Sequence, residues 1–172
     1  FMRDDKGHVR QIIGISYDIT ARKLAEEALR ENEAKLRLAL DAGQTATWSW
    51  DVVRNISTWD ERYKQQHGFT DTKDLSFVGW MARVHPDDQQ ALENRLNTIL
   101  LSPAEDNWNM EFRIVHPDLG ERWMWGLGKA KRNSAGNVIS MAGINMDITQ
   151  RKRSEHHQAL LMNELNHRVK NT

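Results

Sequence analysis

The stretch "NWNMEFRIVHPDLGERWMWGLGKAKRNSAGNVISMAGINMDIT", residues 107–149, decides the fold because it reads as three strands joined by two tight turns. Apolar residues of the first strand recur at every second position, and they are Trp108, Met110, Phe112 and Ile114. This alternation is typical of a strand with one buried face. Each turn, "PDLG" and "NSAG", ends in glycine. Short hairpin connections predict that the three strands are antiparallel neighbours.

The residues before this stretch predict two more strands and several short helices. "TATWSWDVV" places Trp48 and Trp50 on one strand face, and "ISTW" follows after a short turn. "DERYKQQHGF", "SFVGWMARV" and "HPDDQQALENRLNTILL" are predicted as short helices, the last beginning at Pro86. The fold class is therefore α+β: a five-stranded antiparallel sheet with short helices on one face.

Two long charged helices are predicted to flank this region. "ARKLAEEALRENEAKLRLALDA" contains strong helix formers, Thr20 can cap it, and Gly43 is expected to end it. Leu29 and Leu36 are seven residues apart, so the helix can pair with another helix. A second such helix begins at Thr149. We therefore expect a homodimer that forms through the flanking helices.

The final strand has a close copy near the start of the chain. "GHVRQIIGISYDITARK", residues 7–23, aligns without a gap to "GNVISMAGINMDITQRK", residues 136–152. The copies share Gly, Val, Gly, Ile, Asp, Ile, Thr, Arg and Lys at aligned positions. Residues 9–19 are rich in β-branched side chains and are predicted as a strand. A repeat of this kind bears on how the chain divides into domains.

Composition excludes several classes of function. The 24 basic and 24 acidic residues balance, so no strong attraction to nucleic acid or to anionic membranes is expected. The chain has no cysteine, which rules out disulfides, thiolate metal sites and cysteine-based photochemistry. No apolar run approaches the length of a membrane span, and a cytoplasmic location is expected.

The order of elements and a series of motifs resemble the PAS sensor family over about residues 36–149. The motifs occur in order at sensible spacings and are "WSWD", Trp59, "HPDD", "EFRI", "GERW", the turn glycine Gly136 and "GINMDIT". In that family the terminal "DIT" closes the last strand and begins a linker helix. The resemblance implies that Asp147, Thr149 and Arg151 relay a signal from sheet to helix. Capping of the helix by Asp147 or Thr149 is compatible with this role.

The resemblance also implies a division of the chain. Residues 1–20 would be the final strand of a preceding PAS domain, and residues 21–42 a linker helix. Residues 43–149 would form the PAS domain, and residues 150–172 a linker helix with the start of a dimerisation and phosphoacceptor segment. Alternatively, residues 1–20 form a strand of this domain's own fold.

The end of the chain, "ELNHRVKNT", resembles the phosphoacceptor box of HWE-type sensor histidine kinases. On this resemblance His167 is phosphorylated, with Glu164, Arg168 and Lys170 in supporting roles. ATP and Mg²⁺ would act in the full-length kinase, and a response regulator would receive the phosphoryl group. The fragment lacks the ATP-binding domain and is expected to be inactive alone.

Helical spacing agrees with an accessible His167. An apolar stripe at spacings of three and four consists of Met162, Leu165 and Val169. If that stripe packs, His167 lies about 200° around the helix from Leu165 and Val169 and points to solvent. Neutral imidazole, available near pH 7, can attack a γ-phosphate.

Other chemistries have weaker support. His85, Asp87 and Asp88 lie close enough in the chain to suggest a metal site. Capping of the helix that begins at Pro86 explains these residues better, so no metal site is expected. His67 is the best candidate for a haem ligand, although it precedes a glycine at a helix end. We expect no cofactor in this fragment, and the PAS ligand is unknown. Two alternatives remain: a PAS interaction module that binds a partner or the adjacent PAS domain without a ligand, or a non-covalent flavin or haem sensor.

Overall fold

The computed structural model describes the backbone of residues 2–3, 6, 9–11, 15–70 and 76–170, and the side chains of residues 6, 15–70, 76–164 and 166. The strands are β1 (Met2–Arg3), β2 (Val9–Gln11), β3 (Ala46–Asp51), β4 (Ile56–Trp59), β5 (Asn107–His116), β6 (Gly120–Arg132) and β7 (Val138–Asp147). The helices are α1 (Thr20–Ala42), α2 (Glu61–His67), α3 (Phe77–Met81), α4 (Pro86–Leu101) and α5 (Thr149–Lys170).

The chain separates into two compact units, Phe1–Ala39 and Leu40–Thr172. In the first unit, β1 and β2 pair antiparallel. The prediction of a strand over residues 9–19 is wrong for residues 15–19, which have no regular secondary structure, while residues 12–14 lie outside the described residues. The predicted strand was too long because β-branched side chains favour an extended backbone but do not show whether a neighbouring strand is present to pair with it.

Helix α1 is confirmed, and none of its residues is buried. The signals at its ends differ from the prediction. The Asp18 carboxylate, rather than the Thr20 side chain, accepts a hydrogen bond from the first helical N–H, that of Thr20, at 2.9 Å. The helix ends before Gly43, as predicted, but the residue with left-handed backbone is Gln44, at φ 48°.

The second unit contains the five-stranded sheet in the order β4-β3-β7-β6-β5. All neighbouring strands are antiparallel, which confirms the predicted fold class. Strand β7 pairs with β3 on one side and β6 on the other, so the last strand lies at the centre. Helix α5 starts directly after this central strand.

Local signals fix the helices that cover the sheet. The Asp60 side chain accepts a hydrogen bond from Tyr63 N at 2.7 Å and caps α2. Pro86 begins α4, and His85 Nδ1 accepts from Asp87 N at 3.3 Å. Since these signals are local, the sequence predicted both helices.

The core lies between α3, α4 and the inner face of the sheet. Its fully buried large side chains include Val84, Leu92, Ile99, Phe112, Ile114, Met124 and Met141. Across residues 15–70 and 76–170, no helix is long and apolar enough to cross a bilayer.

Candidate functional site

A cavity lined largely by aromatic side chains lies at the inner face of the sheet. It encloses about 60 Å³. Its walls are Trp48, Ser49, Trp50, Ser57, Trp59, Tyr63, Phe77, Trp80, Leu96, Trp108, Phe112, Met141 and Asn145. None of these side chains carries a formal charge, so the cavity is a neutral, flat-walled site.

Ring packing holds the walls in place. Trp50 and Phe77 stack with their ring centroids 5.5 Å apart. Trp80 meets the rings of Trp108 and Phe112 edge-on, at 6.3 and 5.7 Å. Such pairs add about 0.5–1.5 kcal/mol each beyond the area that they bury.

The Trp48 ring lies against two strands that carry no side chain at the contact. A Cβ atom at Gly128 would lie 2.6 Å from Trp48 Cζ2, and one at Gly143 would lie 2.8 Å from the same atom. Glycine at both positions therefore makes room for the indole. These glycines on β6 and β7 set the position of one cavity wall.

Two indole N–H groups of the cavity wall lack a hydrogen-bond partner in the described part of the chain. They belong to Trp48 and Trp80, and both nitrogens are buried. Trp80 Nε1 approaches Tyr63 closely enough to affect the pKa of its hydroxyl, but without the geometry of a hydrogen bond. A buried donor left unpaired costs about 1–3 kcal/mol.

His67, the haem-ligand candidate, is fully buried but does not line the cavity. Its ring stacks on Tyr63 at 4.0 Å, and its Nδ1 lies 3.0 Å from Tyr63 O. Its Nε2 faces Asn145 Nδ2 at 3.5 Å. Both ring nitrogens thus have protein partners, and the free volume corresponds to only about four to six water-sized groups. These residues do not fit a haem or a flavin.

Burial lowers the pKa of His67 to about 4. In the unfolded chain His67 binds a proton near pH 6.5, whereas in the folded chain it does so only near pH 4. The folded state therefore has its full stability above pH 6.5 and loses stability as the pH falls from 6.5 to about 4. We expect a loss of about 3 kcal/mol in unfolding free energy over this interval. Urea unfolding of wild type and His67→Phe at several pH values measures it. His67→Phe should lack this loss of stability between pH 6.5 and about 4. If the unfolding free energies of the two proteins changed with pH in parallel, His67 would not be the cause.

The second candidate site is the junction between β7 and α5. Asp147 Oδ1 accepts from Thr149 N at 2.9 Å, and Oδ2 accepts from Arg122 Nε at 3.0 Å. Burial raises the pKa of Asp147, but the hydrogen bonds from Thr149 and the pairing with Arg122 outweigh burial and hold it below its ordinary value. Thr149 Oγ1 in turn accepts from Trp123 N at 2.9 Å.

Glu111 fastens the first turn of α5 to the sheet. It pairs with Arg151 and with Lys152, whose Nζ lies 2.6 Å from Glu111 Oε2. The hydrogen bond from Lys152, with a further contribution from Arg151, holds the pKa of Glu111 below its ordinary value. Lys152 also lies over the Trp123 ring at 5.0 Å. The start of α5 is therefore fixed by charge as well as by hydrogen bonds.

The structure brings Asp147 and Thr149 together and ties Arg151 to the sheet nearby. Sequence reasoning missed Glu111, although it lies in the quoted "EFRI" motif, and also missed Arg122 and Lys152. It did not identify the side chains that line the cavity. The abundance of tryptophan, seven in the chain, was the one available signal for it.

The other predicted residues lie apart from both sites or beyond the described side chains. Helix α5 extends through residue 170, but the side chains of His167, Arg168 and Lys170 lie outside the described residues. Glu164 is exposed. Asp88 pairs with Arg113 at 2.6 Å. Within residues 15–70 and 76–164, no group of three His, Asp or Glu side chains is placed to hold a metal ion.

Comparisons with known proteins agree with this architecture. The PAS_3 family profile, described as "PAS fold", matches residues 56–145, just over half of the chain. A solved structure of a sensory box histidine kinase/response regulator from Burkholderia thailandensis superposes with a TM-score of 0.64 at 26% identity. It covers 77% of this chain and 98% of that chain.

Two curated relatives carry the same kind of region within longer proteins. The probable diguanylate cyclase DgcE of Escherichia coli is 30% identical over 135 residues, which are 78% of this chain and 12% of DgcE. The blue-light-activated histidine kinase of Brucella anthropi is 24% identical over 99% of this chain and 36% of its own length. The chain thus spans a minor part of each relative.

A five-stranded sheet, a cavity at its inner face and a helix that leaves the central strand together characterise a sensory domain. The chain belongs to the PAS family. It is related to the PAS sensor regions of histidine kinases and of diguanylate cyclases.

Proposed function

We propose that this chain is the sensory and signal-transmitting region of an HWE-type sensor histidine kinase, with His167 as the phosphoacceptor. One observation carries the proposal: α5 runs from the junction at Thr149 to Lys170 and includes the "ELNHRVK" segment. A change in the sheet is thereby connected to the phosphoacceptor segment by one helix. The histidine-kinase relatives support the same assignment.

The route of the signal follows the contacts at the junction. A change in the cavity moves the inner face of the sheet, to which β7 contributes Met141 and Asn145. Strand β7 ends at Asp147, which is bound to Arg122 and to Thr149 N. Asp147, Thr149 and Arg151 then relay the change to α5. Glu164, Arg168 and Lys170 support the chemistry at His167.

The partners follow from the exposed helices and from the domain order. Leu29 and Leu36 of α1 are 60% and 62% exposed, and Leu160 of α5 is 53% exposed. Burial of such side chains stabilises association, so a second copy pairs through the flanking helices. An adjacent PAS domain precedes residue 21, and a response regulator receives the phosphoryl group. The full-length protein acts in the cytoplasm with ATP and Mg²⁺.

Phosphoryl transfer to the chain tests the assignment. A separately purified ATP-binding domain of an HWE-type kinase, with ATP and Mg²⁺, should label the wild-type chain and not His167→Ala. The attacking imidazole nitrogen forms a bond to the γ-phosphorus, and ADP leaves. His157→Ala, on the same helix, is the matched control and should be labelled like wild type.

Equal labelling of wild type and His167→Ala would reject the proposal. The leading alternative would then be an interaction module that binds a partner without phosphorylation. The relationship to DgcE supports a second possibility, an input domain for a diguanylate cyclase. That function requires no histidine phosphorylation.

A further inference from the structure

We infer that the cavity binds a small, uncharged molecule that carries a hydrogen-bond acceptor. The inference rests on the proposed sensory function and specifies the chemical class of the signal. It depends on the volume of the cavity, the neutrality of its lining, the packing of its walls and the unpaired donors in them.

The volume of the cavity and the charge of its lining restrict the chemical class of the ligand. The cavity encloses about 60 Å³, which accommodates about four to six water-sized groups. A molecule of five or six non-hydrogen atoms therefore fits, and a multi-ring cofactor does not. None of the lining side chains carries a formal charge that could pair with an ion. Burial of an unpaired ion is strongly unfavourable, so the ligand is neutral.

Ring packing keeps the space for a ligand small. Trp50 stacks on Phe77, with ring centroids 5.5 Å apart and an interplanar angle of 27°. Trp80 stands edge-on to Phe112, at 80°. Because these rings pack against one another, the walls are held in place and the ligand must match the volume that they leave.

The unpaired donors require an acceptor. Trp48 Nε1 is buried without a hydrogen-bond partner among the described residues. Trp80 Nε1 is also buried and lies near the Tyr63 hydroxyl without the geometry of a hydrogen bond. The indole N–H group can donate a hydrogen bond but cannot accept one, so its partner must be an acceptor. A carbonyl or ether oxygen supplied by the ligand can satisfy it. Ser57 and Asn145, also in the lining, each offer further polar atoms.

Titration of the whole chain with three probes tests the class. The probes are cyclopentanone, cyclopentene, which has the same ring without an acceptor, and propionate, which is charged. The indole N–H resonances of the seven tryptophans report binding, and Trp→Phe variants assign them. Trp123 and Trp125 lie outside the cavity lining and contact the start of α5, so their resonances report whether binding affects the junction.

Cyclopentanone should move the Trp48 or Trp80 resonance downfield, and the shift should saturate as the ketone concentration rises. It should bind about fivefold to tenfold more tightly than cyclopentene, the ratio that one net hydrogen bond gives. Propionate should not bind. In Trp48→Phe the preference for the ketone should shrink.

Three results would overturn the inference: no saturable shift with any probe, equal affinities for ketone and alkene, or tighter binding of propionate. Because wild type alone decides these outcomes, a poorly folded variant does not affect them. Binding is measured independently of phosphorylation at His167. Failure of the ligand class and failure of the kinase assignment are thus separate results.

Discussion

Gly143→Ala is expected to lower the free energy of unfolding by about 3 kcal/mol, because the new methyl group has no space. A Cβ atom at position 143 would lie 2.0 Å from Leu127 O and 2.6 Å from Gly128 Cα. Both are backbone atoms of the neighbouring strand β6, and they cannot move without disrupting the pairing of β6 with β7. Urea-induced unfolding, followed by circular dichroism, measures the loss.

Gly136→Ala is the matched control. Gly136 has φ +83°, and nothing lies within 4 Å of a Cβ atom at that position. Its replacement introduces backbone strain without a collision and should cost only about 1 kcal/mol. Similar losses in the two variants would show that backbone strain, rather than the close approach of β6 and β7, dominates.

Arg132→Met is expected to destabilise the chain by about 3 kcal/mol, since one side chain serves several acceptors at once. The guanidinium donates to four backbone carbonyls and a carboxylate, namely those of Ile99, Ser102, Glu105, Gly136 and Asp106. The Arg132 side chain is only 13% exposed. Methionine keeps much of the length of the side chain but leaves these acceptors without their donor.

Arg54→Met is the control for this second prediction. Arg54 pairs with Asp51, but its side chain is 76% exposed. An exposed pair contributes about 0–1 kcal/mol, so this variant should unfold close to wild type. If both arginine variants lost the same stability, the network around Arg132 would not be the cause.

The structure contains the predicted strands and helices where residues close together in the chain determine them. Trp108 and Phe112 alternate with polar residues because one face of β5 covers the core, and this alternation is visible within ten residues. The helix starts at Asp60 and Pro86 were equally visible, because capping involves neighbours in the chain. Residues 15–19 show the limit of such reasoning, since strand formation requires a partner that composition does not reveal.

The candidate sites could be predicted only in part for the same reason. Trp48, Trp80 and Trp108 meet at the cavity although they are far apart in the chain. Glu111 is forty residues from Arg151, and its charge alone did not indicate which cation it would meet. His67 was predicted at a helix end before a glycine, and that position alone did not indicate that the fold buries it completely. Motifs identified Asp147 and Thr149 because these two residues lie close together in the chain, whereas Arg122, which binds Asp147, is 25 residues away.

The rigid attachment of α5 at the junction gives the helix the mechanical properties of a lever. At 1.5 Å per residue, His167 stands about 27 Å from Thr149 along the helix axis. A tilt of about 5° at the attached end would displace the far end by roughly 2 Å. A misplacement of about 1 Å can change the rate of a positioned reaction about a hundredfold. If His167 is the phosphoacceptor, as proposed, a movement at the sheet smaller than the radius of an atom is thus amplified enough to change the rate of phosphoryl transfer.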